Sequence, residues 1–392
     1  MILCVAAEAS ADRILASLLP ELMALMPERE WVGIGGPLSV KAGLTSWVDP
    51  RELAAHGLTE ALSVLPATLR ALKRLKGALP EVSALVLVDA PEINMRLLKA
   101  ASERGLPVVY LAPPQAWAWR PKRAELLKRA AWVGCLFEFE AQWYRARGVE
   151  AHLIGHPLAE YYAPLPLADV SAAPKWPLLF PGSRLSSFKR TLPLMVEGAL
   201  EARRCQPQSF TSTFTLGLSP WLAPHQEVRA LIEHLSRRAA QEGVSLEVRE
   251  GDALLSDLAQ RHSHDSTPLA PLALSHAGTI TLALALSAVP LIGLAPLSWL
   301  SARVASALVR TPYYTLPNLI LQQGHCPELP PYPHHSQPLT KAMTSLAQPH
   351  YYGELHKTLL SIHTQVNAQP SSALSLSIKD KLTCSAKIRV RD

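Results

Sequence analysis

At 392 residues the chain is too long for one ordinary core and suits two medium domains. With 48% hydrophobic and 18% charged residues it has the composition of a globular protein with a sizeable interior, which excludes a disordered or fibrous chain. The 38 Lys+Arg against 32 Asp+Glu leave +6, too mild an excess to argue for nucleic acid but compatible with an anionic membrane surface where the positive charge clusters.

Cys4, Cys135, Cys205, Cys326 and Cys384 lie far apart without paired spacing, so neither a disulfide framework nor a zinc site is expected, and a reducing compartment is the default. Met1–Ala7 is apolar but short and lacks a basic lead, so a first strand is expected there and not a signal peptide.

The amino-terminal half alternates short apolar runs with amphipathic stretches, the pattern of a parallel sheet covered by helices. It predicts strands at Ile2–Ala6, Trp31–Ile34, Ala84–Val88, Val108–Leu111 and Val133–Phe137. Helices are predicted at Ala11–Met26, Val64–Gly77, Asn94–Arg104 and Lys122–Ala130. The second half repeats the alternation through Pro177–Phe180, Phe210–Leu216, Ser245–Val248, Leu269–Leu274 and Pro290–Leu294. A Pro- and Ala-rich stretch, Tyr161–Lys175, separates the halves, so the expected domains are residues 1–165 and 176–366, with a flexible tail at 367–392. Two doubly wound halves bind ligands in a cleft at the carboxyl ends of their strands. The uncharged run Ser266–Ala302 exceeds the length of a spanning helix. Pro268, Pro271, Pro290, Gly293 and Pro296 interrupt it, so a strand, a helix over Thr279–Ser287 and a second strand are predicted instead.

Residue types suited to chemistry recur where strands end. In Glu8-Ala9-Ser10-Ala11-Asp12, Ser10 suits an N-cap and Asp12 a first helical turn, but both carboxylates equally suit a ligand crevice. A segment holding Leu62 and Leu65 leads into a helix that bears Leu69, Leu72, Leu75 and Leu79 with Arg70, Lys73, Arg74 and Lys76 between them, which reads either as a core stripe or as a basic face on anionic lipid. Asp89, before Pro91 and Asn94, ends a buried strand; partial desolvation there raises a carboxyl toward general-base range, and the competing role is to cap the next helix. Trp117, Trp119 and Arg120 share a Pro-bounded loop that offers a stacking surface for a sugar or acyl chain, or a packing cluster between domains.

In the second half, Pro181-Gly182-Ser183-Arg184 combines close backbone approach, a hydroxyl and a guanidinium fork suited to phosphate. His276-Ala277-Gly278-Thr279 opens a helix whose amino terminus suits an anion. Asn318, in Leu316-Pro317-Asn318, offers an amide to a nucleotide or sugar. His325, His334 and His335 lie in the Pro-rich segment Gln323–Pro338 without a carboxylate partner, which favours a loop over a metal site.

In unbroken order, Ala7–Asp12, Gly33–Pro37, Glu52–Leu62, Val88–Asn94, Pro113–Arg120, Ile154–Pro157, Pro181–Arg184, Ala277–Thr279 and Leu316–Asn318 resemble the motifs of the lipid-A-disaccharide synthase family of glycosyltransferases. The resemblance runs from Ile2 to Glu328 and implies a GT-B-like α/β fold. Its two doubly wound, Rossmann-type domains would face across a cleft, the first serving acceptor and membrane, the second the nucleotide sugar. It implies an inverting hexosyltransferase that moves 2,3-diacylglucosamine from its UDP derivative to 2,3-diacylglucosamine 1-phosphate (lipid X). The products are a β-1,6-linked disaccharide and UDP, with no cofactor and no required metal. By this resemblance Asp89 is the catalytic base, and Gly182, Ser183, Arg184, Gly278, Thr279 and Asn318 hold the donor. Glu8, Ser10, Asp12, Asn94, Trp117, Trp119 and Arg120 line the acceptor side, and Leu62, Leu65, Leu69, Arg70, Leu72, Lys73 and Arg74 form a membrane patch. A cytoplasmic enzyme held peripherally on the anionic inner-membrane face is implied, with no nucleic-acid partner.

The chain departs from the pattern where Ala7 and Ala11 replace glycines and Ala283 replaces a glutamate that related enzymes use to grip the nucleotide ribose. A lost charge-assisted hydrogen bond costs ~1.5–3 kcal/mol. That departure motivates an alternative, a non-catalytic or weakly active relative that binds UDP-sugar or lipid.

Overall fold

The computed structural model describes the chain except residues 51–57, 163, 165–172, 262–269, 298–302, 304–308, 310, 331, 333–334, 367–370 and 385–392. The chain divides into two compact units, Met1–Pro157 with Val366–Asp392, and Leu158–Gln365.

In the first unit Ile2–Ala6 (β1), Trp31–Ile34 (β2), Thr45–Val48 (β3), Ala84–Val88 (β4), Val108–Leu111 (β5), Trp132–Cys135 (β6) and Ala151–Leu153 (β7) form a parallel sheet in the order β3-β2-β1-β4-β5-β6-β7. The connecting helices are Ala9–Leu25 (α1), Pro37–Lys41 (α2), Leu58–Ala78 (α3), Pro91–Ser102 (α4), Arg123–Leu127 (α5) and Glu138–Arg145 (α6). Side chains alternate along each strand, so both faces must be covered. Leu3, Val5, Leu85 and Leu87 join Leu72 and Leu75 of α3 and Leu97 of α4 in one core. Cys4, Ala6, Val86 and Val88 point the other way and meet Leu15, Leu19 and Leu22 of α1. The strand order reverses between β1 and β4, where Ala6 pairs with Val88, and such a switch point opens a crevice at the carboxyl ends. Glu8 and Asp89 follow those two strands.

In the second unit Lys175–Phe180 (β8), Thr213–Leu218 (β9), Ser245–Glu250 (β10), Ala270–His276 (β11) and Leu291–Leu294 (β12) form a parallel sheet in the order β10-β9-β8-β11-β12. Its helices are Leu185–Cys205 (α7), Gln226–Ala240 (α8), Gly251–Arg261 (α9), Thr279–Leu286 (α10), Leu316–Leu321 (α11), Ser336–Leu346 (α12) and Pro349–Val366 (α13). Here the switch point lies between β8 and β11, whose register sets Phe180 beside Ser275. The described part of Ser266–Ala302 is β11, α10 and β12, and among the described residues no helix is long and apolar enough to cross a membrane.

Two expectations are corrected, and two strands are additional to those expected. The edge strands β3 and β7 were not foreseen, because an edge strand half exposed to solvent, such as Thr-Ser-Trp-Val, need not carry an apolar run. The first unit ends at Pro157, ahead of the expected boundary at 165. Most of the expected flexible tail is a helix, Ser371–Cys384 (α14), which packs on α1. Leu374, Ile378 and Leu382 recur every fourth residue and join the α1 core. Burying each such side chain contributes ~1.5–3 kcal/mol.

Candidate active site

Asp89 is held in an unusual backbone. It and Ala90 both adopt left-handed φ, 48° and 42°, each a strain of ~1–3 kcal/mol for a residue with a Cβ. Neighbours over-determine the conformation. The Asp89 N–H donates to the Leu111 carbonyl at 3.0 Å. The Asp89 carbonyl accepts from Asn94 Nδ2 and from the Tyr110 hydroxyl, both at 2.8 Å. The fully buried Asn94 also donates to Val88 at 3.0 Å and to Val5 at 3.4 Å, tying the ends of β4 and β1 together. Asn94 therefore serves the site by fixing Asp89, with its amide nitrogen committed to backbone. The Asp89 carboxyl is pushed up to about 6, first by burial and then by the charge of Glu8, against a backbone N–H from Ala90. Glu8 itself is exposed.

The tryptophan loop follows β5. Pro113 and Pro114 are buried, and the Tyr144 hydroxyl donates to the Pro114 carbonyl. Trp117 is half-buried; its indole N–H donates to Glu140 Oε1 at 3.0 Å, and its ring meets Phe139 edge-on at 5.0 Å. Trp119 is exposed, with the Arg120 guanidinium 4.6 Å from its ring centre. Glu140 is buried, and its carboxyl is pushed up to about 7, chiefly by burial, with hydrogen bonds from Trp117 and two backbone groups opposing. His156 stacks on Phe137 at 5.7 Å, and burial with the nearby Arg13 lowers it to about 4. Sequence reasoning assigned no role to Glu140; its signal was a carboxylate just past the end of β6.

The other expected residues of this unit divide between fold and surface. Ser10 lies within the first turn of α1, and Glu8 occupies the N-cap position with no side-chain capping bond, its carbonyl accepting the Asp12 N–H at 2.8 Å. Asp12 is buried and turns both oxygens to backbone amides: Oδ1 accepts from Gly36 at 2.9 Å and Ser39 at 3.0 Å, Oδ2 from Leu38 at 3.0 Å. A Cβ on Gly36 would stand 2.5 Å from Asp12 Oδ2, so that turn requires glycine. The basic stripe divides. Leu72 belongs to the core, Leu69, Arg70 and Lys73 are exposed, and Arg74 donates to the Trp47 carbonyl at 2.9 Å. The side chains of Leu62 and Leu65 lie outside the described residues.

In the second unit, paired strands bring two motifs together. Because β8 and β11 are neighbours, Pro181-Gly182-Ser183-Arg184 and His276-Ala277-Gly278-Thr279 emerge side by side, each leading into a helix amino terminus. Gly182 has φ 96°, and a Cβ there would lie 3.2 Å from His276 Cγ. Ser183, Arg184, Gly278 and Thr279 are exposed, so this edge presents peptide N–H groups, hydroxyls and a guanidinium to an anion. Asn318 is different. Its Nδ2 donates to Cys326 O and Glu328 Oε1 at 2.8 and 2.9 Å, and its Oδ1 accepts from Cys326 N at 2.9 Å. Glu328 Oε1 and Oε2 also accept the Thr315 and Tyr314 amides, so Asn318 and Glu328 together pin the start of α11 to the following loop. Ala283, at the expected glutamate position, is 3% exposed. His325 and His335 are exposed, and among the described residues no group of three His, Cys, Asp or Glu is placed to share a metal.

The family described as Lipid-A-disaccharide synthetase matches residues 2–350. A lipid-A-disaccharide synthase from Anaeromyxobacter dehalogenans (strain 2CP-C) is 34% identical over 342 residues, 84% of this chain and 83% of that protein. One from Azotobacter vinelandii is 32% identical, covering 83% of each. Among solved structures, a putative UDP-N-acetylglucosamine 2-epimerase from Listeria monocytogenes is similar over 100% of this chain and 97% of its own, with TM-score 0.54 and 11% identity. An E. coli structure described as trehalose-6-phosphate bound with UDP-2-fluoro glucose gives TM-score 0.53 at 12% identity, over 97% and 98%. At such identities the likeness speaks for the fold, the paired Rossmann-like units of the GT-B class.

Proposed function

The chain belongs to the lipid-A-disaccharide synthetase family, and we propose that it transfers 2,3-diacylglucosamine from its UDP derivative to the hydroxyl of 2,3-diacylglucosamine 1-phosphate, releasing UDP. It is a hexosyltransferase of lipid A biosynthesis. The observation that carries the finer reading is Asp89, a carboxylate on a strained, clamped turn at a switch point, with its pKa raised to about 6. A base of that strength is largely ionised at neutral pH yet basic enough to take a hydroxyl proton as the bond forms.

Each unit contributes a share. In the first, Asp89 accepts the proton from the acceptor hydroxyl, whose oxygen bonds to the anomeric carbon. Trp117 and Trp119 offer aromatic faces to the sugar or its acyl chains, and exposed Glu8 and Arg120 offer polar contacts. In the second, the bond from the anomeric carbon to the diphosphate breaks, and charge grows on the leaving UDP. The Gly182–Arg184 turn and the α10 amino terminus suit that charge, because fixed donors need no reorganisation as it develops. Asn318 and Glu328 pin the start of α11, whose Leu316 N–H donates to Thr281 Oγ1 of α10 at 3.3 Å. Leu69, Arg70 and Lys73 form an exposed face that suits anionic lipid, where acylated substrates reside.

The test is to mix purified protein with the two acylated substrates and follow UDP release and the disaccharide by mass spectrometry. UDP release matching disaccharide formation is expected. Retained UDP-sugar binding without release would instead favour the non-catalytic relative that Ala283 suggests.

A further inference from the structure

His276 has no role in the scheme above, yet it lies within the edge assigned to the departing diphosphate. Its ring fills the space beside Gly182, where a Cβ would come within 3.2 Å of Cγ and 3.4 Å of the histidine Cβ. Its Nδ1 lies 2.8 Å from the Ala277 carbonyl. A carbonyl oxygen only accepts, so Nδ1 carries the hydrogen and the neutral ring keeps a bare lone pair at Nε2. That is the wrong polarity for a phosphate oxygen, which also only accepts.

We infer that His276 is a further contact for the diphosphate of the nucleotide donor, and that docking of the diphosphate draws a proton from solvent onto Nε2. The inference rests on the nucleotide-sugar reading of this edge.

The groups around the ring explain why the proton arrives with the ligand. Arg184 faces it from the turn after β8 and Arg190 from α7, where Arg190 is held by the Pro296 carbonyl at 3.1 Å. The α10 side presents Gly278 and Thr279, a helix amino terminus of positive polarity and no carboxylate. Burial foremost and then the two arginines lower the pKa of the free imidazole. A diphosphate beside Arg184 reverses the local sign: it offsets the guanidinium charge and supplies an acceptor for an Nε2–H. The protonated ring then makes a charge-assisted hydrogen bond to a phosphate oxygen. The same contact suits a leaving group whose charge increases.

The probe is UDP-N-acetylglucosamine, whose diphosphate diester does not titrate near neutral pH. Calorimetry on the full chain, between pH 6 and 8 in buffers of differing ionisation enthalpy, gives both affinity and protons taken up. Wild type is expected to take up a fraction of a proton approaching one, with affinity rising up to about tenfold per unit fall in pH. His276→Gln, which keeps a hydrogen-bond donor but cannot titrate, is expected to bind with no such uptake. Binding with zero uptake in wild type, or uptake that survives in His276→Gln, overturns the inference while leaving the nucleotide reading intact. No binding by wild type overturns both. Should the glutamine variant fail to melt cooperatively, the wild-type proton count decides.

Discussion

Glu8 and Asp89 follow the paired strands β1 and β4, and the charge of Glu8 adds to burial in holding the Asp89 carboxyl at about 6. The pair puts an ionisable group with a tuned pKa at the switch point of the first sheet. Its consequences are measurable in rate and in stability.

The rate should follow the ionised form of Asp89. With wild type, kcat/KM for the acceptor is expected to rise with pH through about 6 and level off above. Glu8→Gln removes the repelling charge, so the acidic limb should move to lower pH. A limb that stays in place in Glu8→Gln would show that the Glu8 charge does not set it, and a limb that survives in Asp89→Asn that the titrating group is not Asp89.

Stability should move opposite to activity in Asp89→Asn. A carboxyl raised from 3.8 to about 6 favours the folded state fully below pH 3.8, and that advantage is lost as pH rises through 6. Ionised Asp89 at pH 8 is therefore a cost, with a ceiling of about 3 kcal/mol at ~1.4 kcal/mol per unit. Asp89→Asn is expected to lower kcat by about 10²–10⁴-fold. It should also melt above wild type at pH 8, with the gap closing toward pH 4. Thermal melts at the two pH values beside steady-state rates check both halves.

The Trp117–Glu140 bond predicts a graded series. Glu140→Gln keeps an acceptor for the indole and should preserve the acceptor KM. Glu140→Ala leaves the half-buried indole N–H unpartnered, at about 1–3 kcal/mol, and should raise the acceptor KM more than it lowers kcat. Equal KM values for the two variants would argue that the bond does not position the loop.

Asp12→Ala should act on folding. Its carboxylate takes three backbone amides from the Gly36–Ser39 turn, and hydrogen bonds to charged groups contribute about 1.5–3 kcal/mol each in favourable cases. A clear fall in the urea midpoint is expected, with near-normal kcat in the fraction that remains folded. Normal stability with lost turnover would place Asp12 in the chemistry after all.

Much of this protein was legible in the sequence because parallel strands buried on both faces are written as local apolar runs. Ala84–Val88 and the turns after it could be found without coordinates, and so could the proline-broken run that became β11, α10 and β12. The motifs carried the family likewise, since each lies within a few consecutive residues. Tertiary structure decided what each polar side chain is for. Asp12, Asn94 and Asn318 are alike on paper with Asp89 and Arg184, yet their oxygens or amides are spent on backbone groups up to 89 residues away in sequence. The fourfold stripe Leu374, Ile378 and Leu382 was present in the sequence, but the core that it completes on α1 lies near the opposite end of the chain. Periodicity reports that a face is apolar; only the path of the chain determines what that face, or a given hydrogen-bonding group, will meet.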